Sequence, residues 1–342
     1  MALNERALLI RSRAPLRISF AGGGTDIKEY YEKNGGAVIS ATISKYAYTT
    51  LHQRKDNSFR IRQESFGIDY SGSVQDKPKT SKQSAFFDAI MKHFSPKTGF
   101  DLITHSDVRY GSGLGASSTM MVSLVGAFNK LLNLDMDPYE IAETAYKIER
   151  QDLAIEGGKQ DQYAAAFGGF NFMEFSKTGT VVNQMRLKKS TIYELQFRSI
   201  LINTGATHIS GQIIKKQKGR LSDNRVLEYY ERLKQLAVEI KNRLYRDEID
   251  EIGNLLNQEW ENKKLLSEGI SNKSIDTIFK IAKLNGAEGG KILGAGGGGY
   301  ALLITNEEHR QRLLTAFSKK GYETSSIEFV PSGLETWTRN CN

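Results

Sequence analysis

The sequence sets glycines and oxygen-bearing side chains in patterns suited to handling a phosphate. Gly111-Ser112-Gly113-Leu114-Gly115-Ala116-Ser117-Ser118-Thr119 runs straight into an apolar stretch beginning at Met120. Glycines let backbone N–H groups converge without side-chain collision, and a helix start adds the positive end of its dipole. The hydroxyls of Ser117 and Ser118 can reach a phosphate oxygen or a metal bound to it. No Gly-Lys-Ser/Thr follows, so the loop is not of the Walker A type. Asp107-Val108-Arg109-Tyr110 is also a poor central strand for a dinucleotide fingerprint. The plainer alternative is a glycine-rich turn with serine caps.

Two further glycine clusters stand far from the first. Ala21-Gly22-Gly23-Gly24-Thr25-Asp26 follows the apolar alternation of Leu16, Ile18 and Phe20. A carboxylate closing such a turn suits hydroxyl recognition; the alternative is a helix cap for Ile27–Glu32. Gly294-Ala295-Gly296-Gly297-Gly298-Gly299 lies between Lys291–Leu293 and Tyr300–Ile304. Glycines flanked by strands mark a close backbone approach, to a ligand or to the first loop, or else a flexible hairpin. Phosphoryl transfer needs a phosphate cradle, Mg²⁺, a cation and a residue near the attacking hydroxyl. Glu149 with Ser117 offers oxygen ligands for Mg²⁺. Asp161 can accept or orient the hydroxyl proton, and Arg17 can neutralise charge nearby. Isolated acids are more often surface charges, so spacing alone does not unite these groups.

The elements that must position them follow from periodicity. Leu8–Ile10, Leu16–Phe20, Ala37–Ser40, Tyr46–Leu51, Ser58–Arg62 and Phe100–Ile103 read as strands. Met121, Leu124, Val125, Phe128 and Leu131 recur at helical spacing from Met120 to Leu132. A second helix starts at Asp137-Pro138-Tyr139-Glu140 with a capping box; Ile141, Ala145 and Ile148 line one face and Gly157-Gly158 ends it. Tyr163 to Phe175 reads as strand. A composition shift near Lys188–Ser190 suggests a domain junction. Beyond it come a strand at Ile200–Asn203 and helices at about Ser222–Leu244, Glu251–Leu266, Ile275–Leu284 and His309–Lys319. Ser325–Val330 reads as the last strand. Strands and helices do not alternate regularly, so the fold class is α+β rather than a doubly wound sheet.

Composition bounds the rest. The chain has 342 residues, 39% apolar and 25% charged, which excludes a disordered chain and is enough for one large domain or two ordinary ones. The single cysteine, Cys341, excludes an internal disulfide and a cysteine-rich zinc site. No apolar run approaches the roughly 18–20 residues of a membrane span. Met1–Ile10 carries Glu5 and Arg6 and does not resemble a signal peptide, so the expectation is a cytoplasmic protein with no membrane contact. A net charge of +8 fits nucleic acid or anionic small substrates. No nucleic-acid module accompanies it, and the Lys215–Arg220 run is short, so no nucleic-acid partner is expected.

Taken in order, the three motifs resemble the GHMP kinase superfamily (galacto-, homoserine, mevalonate and phosphomevalonate kinases). Arg13-Ala14-Pro15-Leu16-Arg17 through Asp26 is similar to its first motif, Gly111–Thr119 to its second, and Lys291–Gly299 to its third. The resemblance spans most of the chain. It implies two α+β domains, 1–188 resembling ribosomal protein S5 domain 2 and 189–342 ferredoxin-like, with ATP and Mg²⁺ as cofactors. It implies ATP phosphates wrapped by Gly111, Ser112, Gly113, Leu114, Gly115, Ala116, Ser117 and Ser118, and Mg²⁺ held by Ser117 and Glu149. Asp161 then stands at the catalytic position of the sugar kinases, with Arg17 as its cationic partner. Substrate contacts are implied at Asp26 with Gly23, Gly24 and Thr25, and at Gly296 and Gly297.

Three departures matter. Gly22-Gly23-Gly24-Thr25-Asp26 replaces the Gly-Glu-His-Thr-Asp of galactokinases, which argues against galactose. Ala116 replaces a common Ser. Arg17 replaces the Lys of the mevalonate branch, and Arg cannot accept a proton. The Ala14–Asp26 string with Asn34–Val38 is most similar to the branch acting on the anomeric hydroxyl of heptose 7-phosphates, and also resembles the kinase half of fucokinases. The implied partner is a small sugar phosphate, in a chain compatible with a homodimer. Its phosphate calls for a second anion site, for which Lys215, Lys216 and Arg220, or Lys79, Lys82 and Arg109, are the candidates. A non-catalytic sugar/ATP sensor is the alternative class, disfavoured by the intact phosphate loop.

Overall fold

A computed structural model describes residues 8–63, 68–76, 84–206 and 210–340. The expected short strands merge into long ones: β1 (Leu8–Ala21), then helix α1 (Lys28–Asn34), then β2 (Gly36–Gln53). There follow β3 (Ser58–Gln63), β4 (Ile68–Ser73), α2 (Ala85–Phe94), β5 (Phe100–Ser106), α3 (Ala116–Leu132) and α4 (Pro138–Lys147). A π-helical turn at Ile148–Asp152 leads on to α5 (Gln160–Phe167), β6 (Phe170–Ser176) and β7 (Gly179–Gln184). The second half contains α6 (Lys189–Arg198), β8 (Ser199–Asn203), α7 (Ser210–Gly219), α8 (Asn224–Arg246), α9 (Ile252–Leu265) and α10 (Lys273–Leu284). It ends with β9 (Ala287–Ile292), β10 (Tyr300–Thr305), α11 (Glu307–Lys319), β11 (Thr324–Ser326) and β12 (Glu335–Asn340).

Eight strands form the first sheet, in the order β12-β1-β2-β5-β3-β4 with β6 beside β2 and β7 beside β6. The length of β2 lets it pair β6 through Gly36–Ala41 and β5 through Ala47–Gln53. The second sheet, β11-β8-β10-β9, is antiparallel and has the ferredoxin-like order, with α11 crossing between β10 and β11. The α+β reading holds. An apolar cluster joins the two sheets: Leu16, Ile18 and Phe20 of β1 pack with Leu236 and Ile240 of α8, Leu256 of α9 and Leu302 of β10. The end of β1 is therefore covered on both faces, and its polar residues Arg17 and Ser19 are buried too.

Local chemistry explains the site-bearing helices. The Asp137 carboxylate accepts from the Glu140 N–H and the Glu140 carboxylate accepts from the Asp137 N–H, the expected reciprocal cap. Gly115, at φ 79°, starts α3 from the left-handed region that glycine tolerates.

The structure corrects four element readings. Residues 163–167, read as the start of a strand, belong to α5, because the Ala164-Ala165-Ala166 run favours helix and Gly168-Gly169 delays the strand to Phe170. The helix bearing Glu149 does not run to Gly157-Gly158; it leaves through the π turn, and the glycines serve close packing. The last strand is β12, paired with β1, rather than Ser325–Val330, where only Thr324–Ser326 is strand. β4, α2, β7 and α7 were not foreseen: β4 and β7 are short and largely exposed, and α7 is mostly polar.

Candidate active site

A cavity of about 310 Å³ lies where the first sheet's helices meet the second sheet. One wall is the loop 111–118, a second the π turn and the 155–158 loop, and a third the turn at 22–26 with Lys263 of α9. The three motifs meet here, although 13 and 299 are far apart in sequence.

Arg17 lines the cavity and binds two of its walls. Its Nε donates to Asp161 Oδ1 at 2.8 Å, its Nη2 lies 2.6 Å from the same oxygen, and its Nη1 donates to the Gly113 carbonyl at 2.6 Å. Its backbone N–H also donates to the Leu114 carbonyl at 3.2 Å. One buried guanidinium thus ties β1, the glycine loop and α5 together. Its planar fork suits this, and an ammonium would not reproduce it. Asp161 Oδ2 accepts no hydrogen bond from the described residues. It faces the glycine loop, 3.2 Å from where a β-carbon on Gly115 would stand. A free carboxylate oxygen beside a phosphate-type loop can take a proton from a hydroxyl brought between them.

Ser117 and Glu149 also meet. Ser117 Oγ donates to Glu149 Oε1 at 3.1 Å, and Gln162 Nε2 donates to Glu149 Oε2 at 2.6 Å. Glu149 is fully buried, in the first residues of the π turn, a feature frequent at functional sites. A hydroxyl and a carboxylate at contact distance, facing a phosphate cradle, fit Mg²⁺, which takes one or two protein oxygens and completes its shell with phosphates and water. No cluster of three or more His, Cys, Asp or Glu side chains suited to a metal occurs among the described residues, so an all-protein metal cage is not what this site offers.

Asp26 lines the opposite side of the cavity. Its Oδ1 accepts from the Gly24 N–H at 2.9 Å and Gln160 Nε2 at 3.3 Å, and its Oδ2 accepts from the Gln160 N–H at 3.0 Å. It is not the cap of α1, whose cap position is Ile27. A β-carbon on Gly158 would collide with Asp26 Oδ2, and one on Gly157 with the Arg150 guanidinium, which is why two glycines stand there. Arg150 donates to Ser118 Oγ and to the Gly158 and Ile155 carbonyls, clamping this loop to the phosphate side.

Not every expected residue faces the cavity. Gly111, Gly113, Gly115, Ala116, Ser117 and Ser118 line it, whereas Leu114 is buried in the apolar cluster and Ser112 is turned to Tyr300, whose N–H donates to its carbonyl at 2.9 Å. Thr25 is buried as a turn brace, donating to the Gly22 carbonyl and accepting from the Ala37 N–H. Gly23 offers its carbonyl to Lys263. Gly296 and Gly297 pack on Ile270, the Gly297 N–H donating to its carbonyl at 2.7 Å, while Gly294 and Ala295 reach the cavity instead.

The proposed anion sites fare differently. Lys215 and Lys216 are exposed, Arg220 braces the Leu265 and Leu266 carbonyls, and Arg109 is exposed. Lys79 and Lys82, and likewise Cys341, lie outside the described residues.

Lys263 was missed. It is 3% exposed, lines the cavity, and burial lowers its ammonium to about 8. Burial also lowers Lys291 of the third motif, which donates to Glu259 Oε1 at 2.8 Å and to the Ser19 carbonyl at 3.1 Å. The signal was present: Glu259 and Lys263 interrupt the buried stripe Ile252, Leu255, Leu256, Trp260 of α9, where charges have no reason to stand unless they are used.

Comparison with known proteins agrees with this geometry. A family model described as GHMP kinases N terminal domain matches residues 82–169, and one described as GHMP kinases C terminal matches residues 242–323. The chain is 39% identical over 334 residues to a D-glycero-alpha-D-manno-heptose 7-phosphate kinase of Campylobacter jejuni, covering 96% of this chain and 98% of that protein. A solved structure, a D-glycero-D-manno-heptose 1-phosphate kinase from Bacteroides thetaiotaomicron, superposes with a TM-score of 0.82 at 30% identity, covering 96% of this chain and 98% of the other. A bifunctional fucokinase/GDP-fucose pyrophosphorylase of Arabidopsis thaliana is 27% identical over 87% of this chain, which spans 30% of that larger protein. No described helix is long and apolar enough to cross a membrane. With a relative of this identity over nearly its whole length, the chain belongs to the GHMP kinase family, whose sugar kinases are ATP-dependent phosphotransferases.

Proposed function

We propose that the protein transfers the γ-phosphoryl group of Mg²⁺-bound ATP to the anomeric (C1) hydroxyl of D-glycero-D-manno-heptose 7-phosphate, forming the 1,7-bisphosphate. This would serve synthesis of nucleotide-activated heptose for surface glycans, in the cytoplasm where ATP is supplied. The observation that carries the transfer step is the placement of Asp161. Its Oδ1 is fixed by Arg17 while Oδ2 faces the glycine loop. The acceptor hydroxyl gives its proton to Asp161 as its oxygen bonds to phosphorus and the bond to the leaving diphosphate breaks. Arg17 is a positioning residue: it holds the carboxylate and balances its charge. Ser117 and Glu149 would hold Mg²⁺, which would supply charge neutralisation on the phosphates. Asp26 and Gly24, the residues of this turn that line the cavity, hold the sugar. The heptose 7-phosphate assignment rests on the Campylobacter jejuni relative and on the departure from the galactokinase motif at Gly22–Asp26.

The test is turnover of ATP and Mg²⁺ with heptose 7-phosphate, unphosphorylated heptose, fucose and galactose, with phosphorus NMR of the product. A new anomeric phosphate signal from heptose 7-phosphate supports the reading. Preference for fucose moves the protein to the fucokinase-like alternative, and no turnover with any sugar moves it to a non-catalytic sensor.

A further inference from the structure

The cavity is unevenly supplied with charge. Among the described residues that line it, the cations are Arg17, Arg150 and Lys263. Arg17 is spent on Asp161. Arg150 is spent on Ser118 and two carbonyls, 3.9 Å from Glu149. Lys218, next to the cavity on α7, bridges Glu29 and Glu156. Lys263 differs from all of these. It touches the Gly23 carbonyl and has no carboxylate within ion-pair distance among the described residues, because Glu259, one turn before it on α9, is given to Lys291. Holding an unpaired ammonium out of water costs several kcal/mol unless a partner arrives.

The groups around it share one character. Tyr230 of α8 and Lys263 both stand at van der Waals distance from the position of a Gly24 β-carbon, at 3.3 and 3.4 Å. The buried Tyr230 hydroxyl has no hydrogen-bond partner among the described residues. Gln217 of α7, also buried and lining the cavity, has its Nε2 donor unpartnered. The Lys263 ammonium has a carbonyl but no carboxylate to meet it, and the Gln217 amide N–H₂ and the Tyr230 O–H have no acceptor among the described residues. A phosphate monoester carries three acceptor oxygens and a charge of about −1.5 to −2 at neutral pH, which completes such a set. A hydroxyl would satisfy one donor and leave the charge unmet.

We propose that Lys263, with Gln217 and Tyr230, is the specificity subsite for a phosphate group already borne by the acceptor sugar. The inference rests on the kinase reading above and names what selects its substrate. It replaces the surface lysines of the Lys215–Arg220 run in that role.

The experiment compares wild type, K263M and K263R, each as the full chain. For each, kcat/KM is measured with heptose 7-phosphate and with unphosphorylated heptose, and KM with ATP. Binding of heptose 7-phosphate without ATP is followed by calorimetry. Loss of a charge-assisted contact predicts that K263M lowers kcat/KM for the phosphorylated sugar about 10- to 100-fold, mainly through KM. Unphosphorylated heptose and ATP change less than about threefold, and K263R recovers much of the loss. Thermal melting should show K263M folded, since Met replaces an unpaired buried charge. Equal losses on both sugars, or a raised KM for ATP with the sugar constants untouched, overturn the assignment. So does calorimetric binding that K263M leaves intact. Binding by wild type without turnover overturns the kinase reading alone and keeps the contact; absence of binding overturns both.

Discussion

Asp161 has one oxygen held by Arg17 and the other open to the cavity, so its two atoms have separate work. Asp161→Asn keeps the shape and removes the proton acceptor. The expected result is a fall in kcat of about 10²- to 10⁴-fold. ATP binding measured by titration should be unchanged, and near-normal turnover would remove Asp161 from the proton transfer. Lys263 gives a pH dependence at the same scale. The groups facing it are Glu259 on its own helix, Lys291 on β9, Asp26 and Arg17 from the end of β1, and Tyr230 on α8. Burial dominates and lowers it to about 8, against an ordinary lysine near 10.4. The ammonium is the form that binds an anion. So kcat/KM for the phosphorylated sugar should hold up to about pH 8 and fall above it, while K263R, which stays charged, should keep its value. An identical fall with unphosphorylated heptose would assign the titration to another group. Asp161, Arg17, Ser117, Glu149 and Asp26 could be named from the sequence because each matches a position that the family resemblance supplies, where spacing alone did not unite them. Lys263 and Gln217 could not, because they lie on helices with no glycine signature, and only packing brings them to the cavity.

At the scale of elements, the glycine pair 157–158 shows how residues read as a helix stop can serve close packing instead. The sequence reads it as a helix stop. The structure ends the helix at the π turn and uses both glycines for contact, one under Arg150 and one against Asp26. Gly158→Ala would push its methyl group into the Asp26 carboxylate and displace it from the Gln160 N–H. The expected outcome is a loss of about 10- to 100-fold in kcat/KM for the sugar, the cost of one charged hydrogen bond. The ATP affinity should stay within a few-fold, because the added methyl group meets Asp26 and not loop 111–118. Steady-state kinetics in both substrates separates the two. The capped helix α4 was legible because capping is written in adjacent residues. Helix α5 was not: its aromatic and glycine flanks suggest strand, and its burial against α3 and α4 reinforces what the alanine run favours. The same holds for β12, which is a strand because β1 offers it an edge.

At the scale of the whole molecule, the third motif acts as a joint. We keep the division at 188/189 as a proposal, with β12 returning to the first sheet. At this motif the halves meet backbone against backbone, beside the apolar cluster that joins the two sheets. The Tyr300 N–H donates to the Ser112 carbonyl at 2.9 Å, and a β-carbon on Gly294 would stand 2.8 Å from the Gly113 α-carbon. Of the glycines at 294–299, whose sequence left a ligand contact, a loop contact and a flexible hairpin open, Gly294 and Gly299 serve this seam, while Gly296 packs on Ile270 and Gly298 on Ala206. Gly299 has φ +83°, and a β-carbon there would collide with the Ser112 carbonyl. Gly299→Ala therefore carries both left-handed strain and a clash that pushes the phosphate loop out of place. Stability should fall by about 2–4 kcal/mol, as for other backbone collisions of this kind. KM for ATP should rise together with it, by about tenfold or more. If the seam only braced the fold, the surviving folded enzyme would use ATP normally and the two losses would separate. Coupled losses, seen as a lower melting temperature and a raised KM for ATP at a temperature where the variant is folded, identify the third motif as the part that sets the geometry of the second.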